Sequence, residues 1–211
     1  MNETIRIAFL SALLLTLSQS AAAQTYDWYS AAGAGLSFLS DTDSSQGGFT
    51  ITSEFATSGA GYGAVGRVFD SFRAEAEVFV SVNEFDKLQG GGLSVGASGN
   101  VQTIAFMANG YYDFSTGSKW RPYIGGGIGV ASVAVNDLEA QGILIADDDD
   151  TVFAYQLKAG VAYQFTERWE GTLGYRYFGS DDGDFVDSSG AAFTSDGLEL
   201  HVVEIGARYR W

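Results

Sequence analysis

The C-terminal stretch from Leu198 to Trp211, LELHVVEIGARYRW, constrains the fold more than any other part of the chain. Taken at every second residue, one face carries His201, Val203, Ile205, Ala207, Tyr209 and Trp211. The other carries Val202, Glu204, Gly206, Arg208 and Arg210. Alternate side chains of a strand point to opposite sides, so this segment reads as a strand with one apolar and one charged face. The same alternation recurs along the chain and predicts eight strands.

Strand one, Tyr26 to Ser40, sets Trp28, Ala32, Ala34, Leu36 and Phe38 against Gly33, Gly35 and Ser37. Asp41 to Gly48 is loop chemistry, and Phe49, Ile51 and Phe55 alternate as a strand extension beyond it. Strand two is expected to turn Ala60, Tyr62, Ala64, Gly66 and Val68 outward, with Val65 and Arg67 inside. After a tight turn at Asp70-Ser71, strand three sets Phe72, Ala74, Ala76, Val78 and Val80 against Arg73, Glu75, Glu77 and Ser81. Glu84 to Asn100 is a Gly- and Ser-rich loop. Strand four, Val101 to Phe114, places Ile104, Phe106, Ala108, Tyr112 and Phe114 on one side, and Ser115 to Trp120 is a short turn. Strand five, Pro122 to Val133, opens on the only proline, at a position where a missing donor matters least. Asn136 to Asp150 is a long loop ending in four aspartates. Strand six, Val152 to Phe165, sets Phe153, Tyr155, Leu157, Val161, Tyr163 and Phe165 against Gln156, Lys158, Gly160 and Gln164. Strand seven sets Trp169, Leu173, Tyr175 and Tyr177 against Glu170, Thr172 and Arg176, and Gly179 to Gly197 is a long acidic loop. Long and short connections alternate, the layout of an even-stranded antiparallel membrane barrel with short turns at one rim and long loops at the other.

Ile5 to Leu17 is apolar, with Arg6 near its start and Ala21 and Ala23 near its end. It reads as a signal peptide over residues 1–23, cleaved before Gln24, and leaves 24–211 as one domain. No cysteine is present, so no disulfide supports the exported chain. The 28 glycines do not signal disorder, because they accompany 14% aromatic residues and a single proline. The net charge of −15 argues against nucleic acid as a partner.

The apolar faces are expected to meet lipid. The polar faces carry glycines and a few long ionic side chains, which suit the narrow interior of an eight-stranded barrel. Aromatics gather at strand ends, where rings favour the water–hydrocarbon boundary, and Trp28, Phe72, Phe114, Trp120, Phe165 and Trp169 are expected to form a girdle. Arg67, Arg73, Glu75, Glu77, Lys158, Glu170, Arg176, Glu204, Arg208 and Arg210 are expected to form a charge network filling the lumen, because an unpaired charge there is costly.

MANGYYDF (Met107 to Phe114), RPYIGGGIGVA (Arg121 to Ala131), FAYQLKAGVAYQFTERWEGTLGYRYF (Phe153 to Phe178) and HVVEIGARYRW resemble the opacity-type, outer-membrane-protein-A-like small barrels of Gram-negative bacteria. The resemblance implies an all-β fold, an eight-stranded antiparallel transmembrane β-barrel with short periplasmic turns and long acidic extracellular loops. It also implies insertion by the outer-membrane assembly machinery, for which Tyr209 and Trp211 would form the terminal signal. That signal usually ends in Phe; Trp211 differs but remains aromatic. No periplasmic peptidoglycan-binding domain is expected after Trp211.

Other chemistries find weak support. Asp41, Asp43, Asp147 to Asp150, Asp181, Asp182, Asp184 and Asp187 cluster on the long-loop side. DTDSSQG lacks the turn glycine of a calcium loop, because Gln46 stands there, and no Glu follows at the twelfth position. The rim is therefore read as solvated and repulsive beside lipopolysaccharide, with no metal site. His201 is the only histidine, lies on the apolar phase and has no HxS-type partner, so no catalytic group and no enzyme is expected. GGGIG (Gly125 to Gly129) lacks the Lys-Ser/Thr of a phosphate loop, and no cofactor is expected. The leading expectation is a non-enzymatic outer-membrane barrel with a structural or surface-interaction role. Its partners would be outer-membrane lipids, lipopolysaccharide and an extracellular partner met by the loops. A narrow pore for ions or small solutes and a soluble lipocalin-like ligand-binding barrel are the alternatives.

Overall fold

The computed structural model describes residues 27–40, 42–46, 49–55, 58–90, 93–140, 143–186 and 192–211, with side chains over 27–40, 58–84, 99–134, 149–182 and 196–211. The expected signal peptide lies outside the described residues. The described residues form β1 (Trp28–Leu39), β2 (Thr42–Gln46), β3 (Phe49–Phe55), β4 (Ser58–Phe69), β5 (Phe72–Gly90), β6 (Leu93–Asp113), β7 (Trp120–Ala140), β8 (Ile143–Gln164), β9 (Trp169–Ser180), β10 (Gly183–Val186), β11 (Ala192–Ser195) and β12 (Glu199–Arg210).

Eight of these close into an antiparallel barrel in the order β1-β4-β5-β6-β7-β8-β9-β12, and β1 pairs with both β4 and β12. Closure satisfies every edge, which a sheet in hydrocarbon requires. The seam is a continuous ladder from Tyr29↔Arg210 to Leu39↔Leu200. The connections at residues 70–71, 114–119 and 165–168 are short and share one rim with both ends of the described chain. Asp70 has φ 57°, a left-handed conformation that Asp tolerates in so tight a turn.

Four stretches read as loops are partly strand. β5 runs to Gly90 and β6 starts at Leu93, while β7 runs to Ala140 and β8 starts at Ile143. Both hairpins thus continue well past Glu84 and Asn136. Thr42–Gln46 and Gly183–Val186 are likewise strands, and β2 pairs with β3 and β11. The expected extension at Phe49 to Phe55 is β3, paired with β5. Ladder bonds are made by backbone groups, so two adjacent chains go on pairing through polar and glycine-rich sequence once the barrel has set them side by side.

The faces are decided by which side chains are shut in. Glu77 is 3% exposed and Arg208 4%, while Leu157 is 61% and Ile205 68% exposed. An outward apolar band crosses all eight barrel strands, through Leu36, Val65, Val78, Phe106, Ile128, Leu157, Leu173 and Ile205. A soluble lipocalin-like barrel has the opposite arrangement, so that alternative falls.

The phase of β4 is a correction. Val65 and Arg67 point outward, whereas Tyr62 packs against the inner core and Gly66 is buried. Arg67 is therefore on the outer wall, not in the lumen. Its guanidinium lies over the rings of Trp28 (5.7 Å) and Phe69 (5.2 Å) and 3.8 Å from Asp27. A long cationic side chain at the membrane boundary can cover apolar rings with its stem and keep its head wet, so a charge there does not mark the inside.

The interior is layered. Toward the long-loop rim it is filled by Phe79, Val101, Ala105, Met107, Ala131, Val133, Val152, Ala154, Phe178, Leu200 and Val202, all buried. Toward the short-turn rim it is ionic. The charge network therefore occupies only part of the lumen; a mostly apolar plug occupies the rest, and within it Ser37, Ser81, Asn83 and Thr103 are also buried, the first three joined by hydrogen bonds through Asn83.

Candidate functional site

The site is the ionic part of the lumen. Its middle layer is a four-charge cluster contributed by β5, β8, β9 and β12. Arg176 is fully buried and grips Glu77 in a fork, Nη1 donating to Oε1 at 2.7 Å and Nη2 to Oε2 at 3.0 Å. Its Nε donates to Glu204 Oε2 at 3.0 Å. Lys158 Nζ bridges the same two carboxylates, 3.1 Å from Glu77 and 3.0 Å from Glu204. Gln156 completes the ring, donating to Glu77 Oε1 (2.8 Å) and accepting from Arg176 Nη1 (2.7 Å). Two cations and two anions make the cluster neutral, and bidentate geometry with spare lone pairs satisfied is the condition under which buried pairs are tolerated.

A second group centres on Glu75. It accepts from the hydroxyls of Tyr29 and Tyr111, both at 2.8 Å, and from Asn109 Nδ2 at 3.3 Å. Arg73 donates from Nη1 to the Tyr29 oxygen (3.0 Å) and from Nε to Asp113 Oδ2 (2.8 Å), and stands 4.2 Å over the Tyr111 ring. The third group lies at the short-turn rim. Glu170 accepts from Arg208 Nη1 and Arg210 Nη2 at 2.8 Å each and from Arg121 Nη1 at 3.1 Å.

Of the ten residues expected in the lumen, nine are brought together there, and Arg67 is not. Asp113 and Arg121 were absent from the expected network, and so were Tyr29, Tyr62, Tyr111 and Tyr123. Asp113 and Tyr111 alternate with the outward Tyr112 and Phe114, so the same period would have found them. With Arg67 removed and Asp113 and Arg121 added, six cations (Arg73, Arg121, Lys158, Arg176, Arg208, Arg210) face five anions (Glu75, Glu77, Asp113, Glu170, Glu204) among the described residues.

The inner glycines have a specific use. The inward tyrosines each stand directly across the ladder from a glycine: Tyr62 from Gly33, Tyr29 from Gly66, Tyr111 from Gly125, and Tyr123 from Gly160. A Cβ on Gly33 would sit 2.5 Å from the Tyr62 ring, and one on Gly160 would sit 2.6 Å from the Tyr123 hydroxyl. The ring lies over the bare backbone of its neighbour, so a narrow barrel can hold four inward tyrosines.

Outside, Trp28, Phe72, Phe114, Trp120, Phe165 and Trp169 are all exposed and all lie at the short-turn rim. Their rings meet neighbours: Trp28 with Trp211 (6.1 Å), Phe72 with Tyr112 (5.1 Å), Trp120 with Tyr163 (4.7 Å) and Trp169 with Tyr209 (4.9 Å). Tyr209 also accepts from Arg168 Nη1 at 3.2 Å, and the Trp211 indole donates to Ser30 Oγ at 3.2 Å. His201 lies on the outer wall near the other rim, 2.5 Å from the Tyr175 hydroxyl and beside the Tyr177 ring. Most of the acidic loop residues, including Asp41, Asp43, Asp147, Asp148 and Asp187, lie outside the residues whose side chains are described.

Residues 9–210 match the outer membrane protein beta-barrel domain family. Among curated proteins, an uncharacterized protein of Brucella abortus is 30% identical over 130 residues, covering 50% of this chain and 46% of its own. An uncharacterized protein of Brucella suis matches to the same extent. The chain thus spans about half the length of the curated relatives it matches. Among solved structures, neisserial surface protein A is 18% identical with a TM-score of 0.57, covering 87% of this chain and 97% of that one. The outer membrane protein OprG of Pseudomonas aeruginosa is 15% identical with a TM-score of 0.55, covering 88% and 96%. At these identities the likeness is one of fold.

Proposed function

The chain belongs to the outer membrane protein beta-barrel domain family and resides in the bacterial outer membrane, and from that premise we propose that it is a non-conducting, non-enzymatic barrel with a structural or surface-interaction role. One observation carries the reading: packed side chains block the long-loop half and the middle of the lumen. Phe79 and Phe178 pack ring against ring at 5.3 Å in the long-loop half, with Leu200 and Val202 buried beside them. Below them the Arg176 guanidinium lies 4.2 Å over the Phe79 ring and closes on Glu77 and Glu204. An ion entering this lumen would have to leave its hydration shell among buried, mostly apolar side chains, and that cost opposes conduction.

In this reading residues 1–23 direct export and are removed. The terminal strand, with Tyr209 and Trp211, is what the outer-membrane assembly machinery engages. Outer-membrane lipids meet the apolar band, and lipopolysaccharide meets the long-loop side. The extended hairpins then offer the contact surface toward an extracellular partner, and their aspartates favour a basic one. Planar-bilayer recording of the purified protein tests the proposal. Silence under an applied potential is expected, and reproducible single-channel steps would overturn it in favour of a narrow pore.

A further inference from the structure

The ionic lumen is balanced in its middle layer and unbalanced at its periplasmic end. Around Glu170 three guanidiniums, those of Arg121, Arg208 and Arg210, share one carboxylate. The next group inward gives little relief, since Asp113 and Glu75 are both engaged by Arg73. Even with those two acids counted, four guanidiniums face three carboxylates.

Hydrogen bonding is incomplete at the same place. Arg208 Nε, Arg210 Nε and Arg73 Nη2 are buried and have no acceptor, although the Arg208 and Arg73 side chains are more than nine-tenths buried. Arg208 and Arg210 sit two residues apart on one strand, point to the same side and both reach Glu170, so their unpaired N–H groups lie in one neighbourhood. Water could accept from them but brings no charge. An anion with several acceptor oxygens meets both demands, and a guanidinium edge matches such an oxyanion in shape as well as charge.

We propose that the periplasmic mouth of the lumen binds a small oxyanion of the inorganic phosphate class, between Arg208, Arg210 and Arg121. Arg121, with 28% of its side chain exposed, and Arg210, with 15%, stand at the opening. The buried cluster closes the far end, so an anion would reach these arginines from the periplasmic side only and would not pass through. Glu170 holds the three arginines in place and at the same time limits affinity by its own charge.

The test uses the whole barrel folded in zwitterionic micelles and titrated with inorganic phosphate at constant ionic strength, followed by phosphorus NMR line broadening. Saturable broadening is expected. Arg210→Gln and Arg121→Gln should each weaken it by about tenfold, the worth of a charge-assisted hydrogen bond. Glu170→Gln should tighten it, a gain that a damaged fold cannot mimic. Arg67→Gln, on the outer wall, should leave it unchanged. Heat-modifiable gel mobility reports folding of each variant, and if Arg210→Gln does not fold, Arg121→Gln and Glu170→Gln decide. Broadening that fails to saturate, that persists in both folded arginine variants, that is not strengthened by Glu170→Gln, or that is lost in Arg67→Gln would overturn the proposal.

Discussion

The buried cluster of Glu77, Lys158, Arg176 and Glu204 allows a double-mutant cycle with a defined sign. Arg176→Met removes both bonds of the Glu77 fork, the Nε bond to Glu204 and the Nη1 bond to Gln156. Lys158 is then left alone between two carboxylates, at 3.1 Å and 3.0 Å, and the cluster carries one uncompensated negative charge. Stranding a buried charge costs about 3–5 kcal/mol. Glu77→Gln produces the mirror case, with Arg176 and Lys158 sharing Glu204, and a similar loss is expected. In the double variant Lys158 and Glu204 remain as a neutral pair, so the loss should fall short of the sum by about 2–3 kcal/mol, at the upper end for contacting residues. Urea unfolding of the barrel in lipid vesicles, followed by tryptophan fluorescence and by gel mobility, measures all four corners. Two results would refute the reasoning. One is additivity within about 0.5 kcal/mol, as expected of independent sites. The other is single losses below about 1 kcal/mol, which is what solvated surface pairs are worth.

The outer wall, the glycines and the corrected arginine can be tested alongside. Leu157→Arg, on the outward band, should destabilise the inserted barrel by about 2–4 kcal/mol; labelling of Val78, Tyr155 and Val203 positions by a lipid-soluble probe should be strong, and labelling by an aqueous probe there would contradict the orientation. Gly33→Ala would place a Cβ 2.5 Å from the Tyr62 ring and 2.6 Å from the Ile205 carbonyl, so a loss of about 1–3 kcal/mol is expected from overpacking. Gly63→Ala, with nothing within 4 Å of the new Cβ, should be neutral or slightly stabilising by the same unfolding measurement. Arg67→Gln should change stability by less than about 1 kcal/mol, the worth of an exposed ion pair, whereas Arg73→Gln should cost several times more because it strands Asp113; equal effects would return Arg67 to the lumen.

Much of this structure is written in a period of two. Where large apolar residues alternate with ionic ones, as from Phe72 to Ser81 or from Trp169 to Tyr177, the sequence alone determined which side chains face out, because the pleat leaves no other choice. Alternation over eight segments with short and long connections was also enough to specify a closed barrel, since lipid permits no open edge. Where the alternation is absent, the sequence leaves the phase open. Ser58–Phe69 carries small residues, glycine or alanine, on both faces, so only pairing with β1 and β5 sets its phase, and that pairing puts Arg67 on the outer wall although a charge in a strand of this kind predicts the inside. The polar composition of residues 84–100 and 136–150 likewise concealed strands that exist because the barrel holds two backbones within ladder distance.

Layering along the axis needed the register. The inward residues of β12 run Leu200, Val202, Glu204, Gly206, Arg208 and Arg210, from apolar to cationic, and those of β5 run the opposite way from Arg73 to Phe79. The strands are antiparallel, so these opposite gradients superimpose into one apolar plug and one ionic floor. Each gradient was present in the sequence, but which charges share a layer was fixed only when the ladders were aligned. Partners such as Arg176 and Glu77 are 99 residues apart along the chain, and no local pattern encodes a distance of 2.7 Å between them. Sequence set the side of the wall for each residue; closure and stagger of the barrel set its height, and height decides which charges meet.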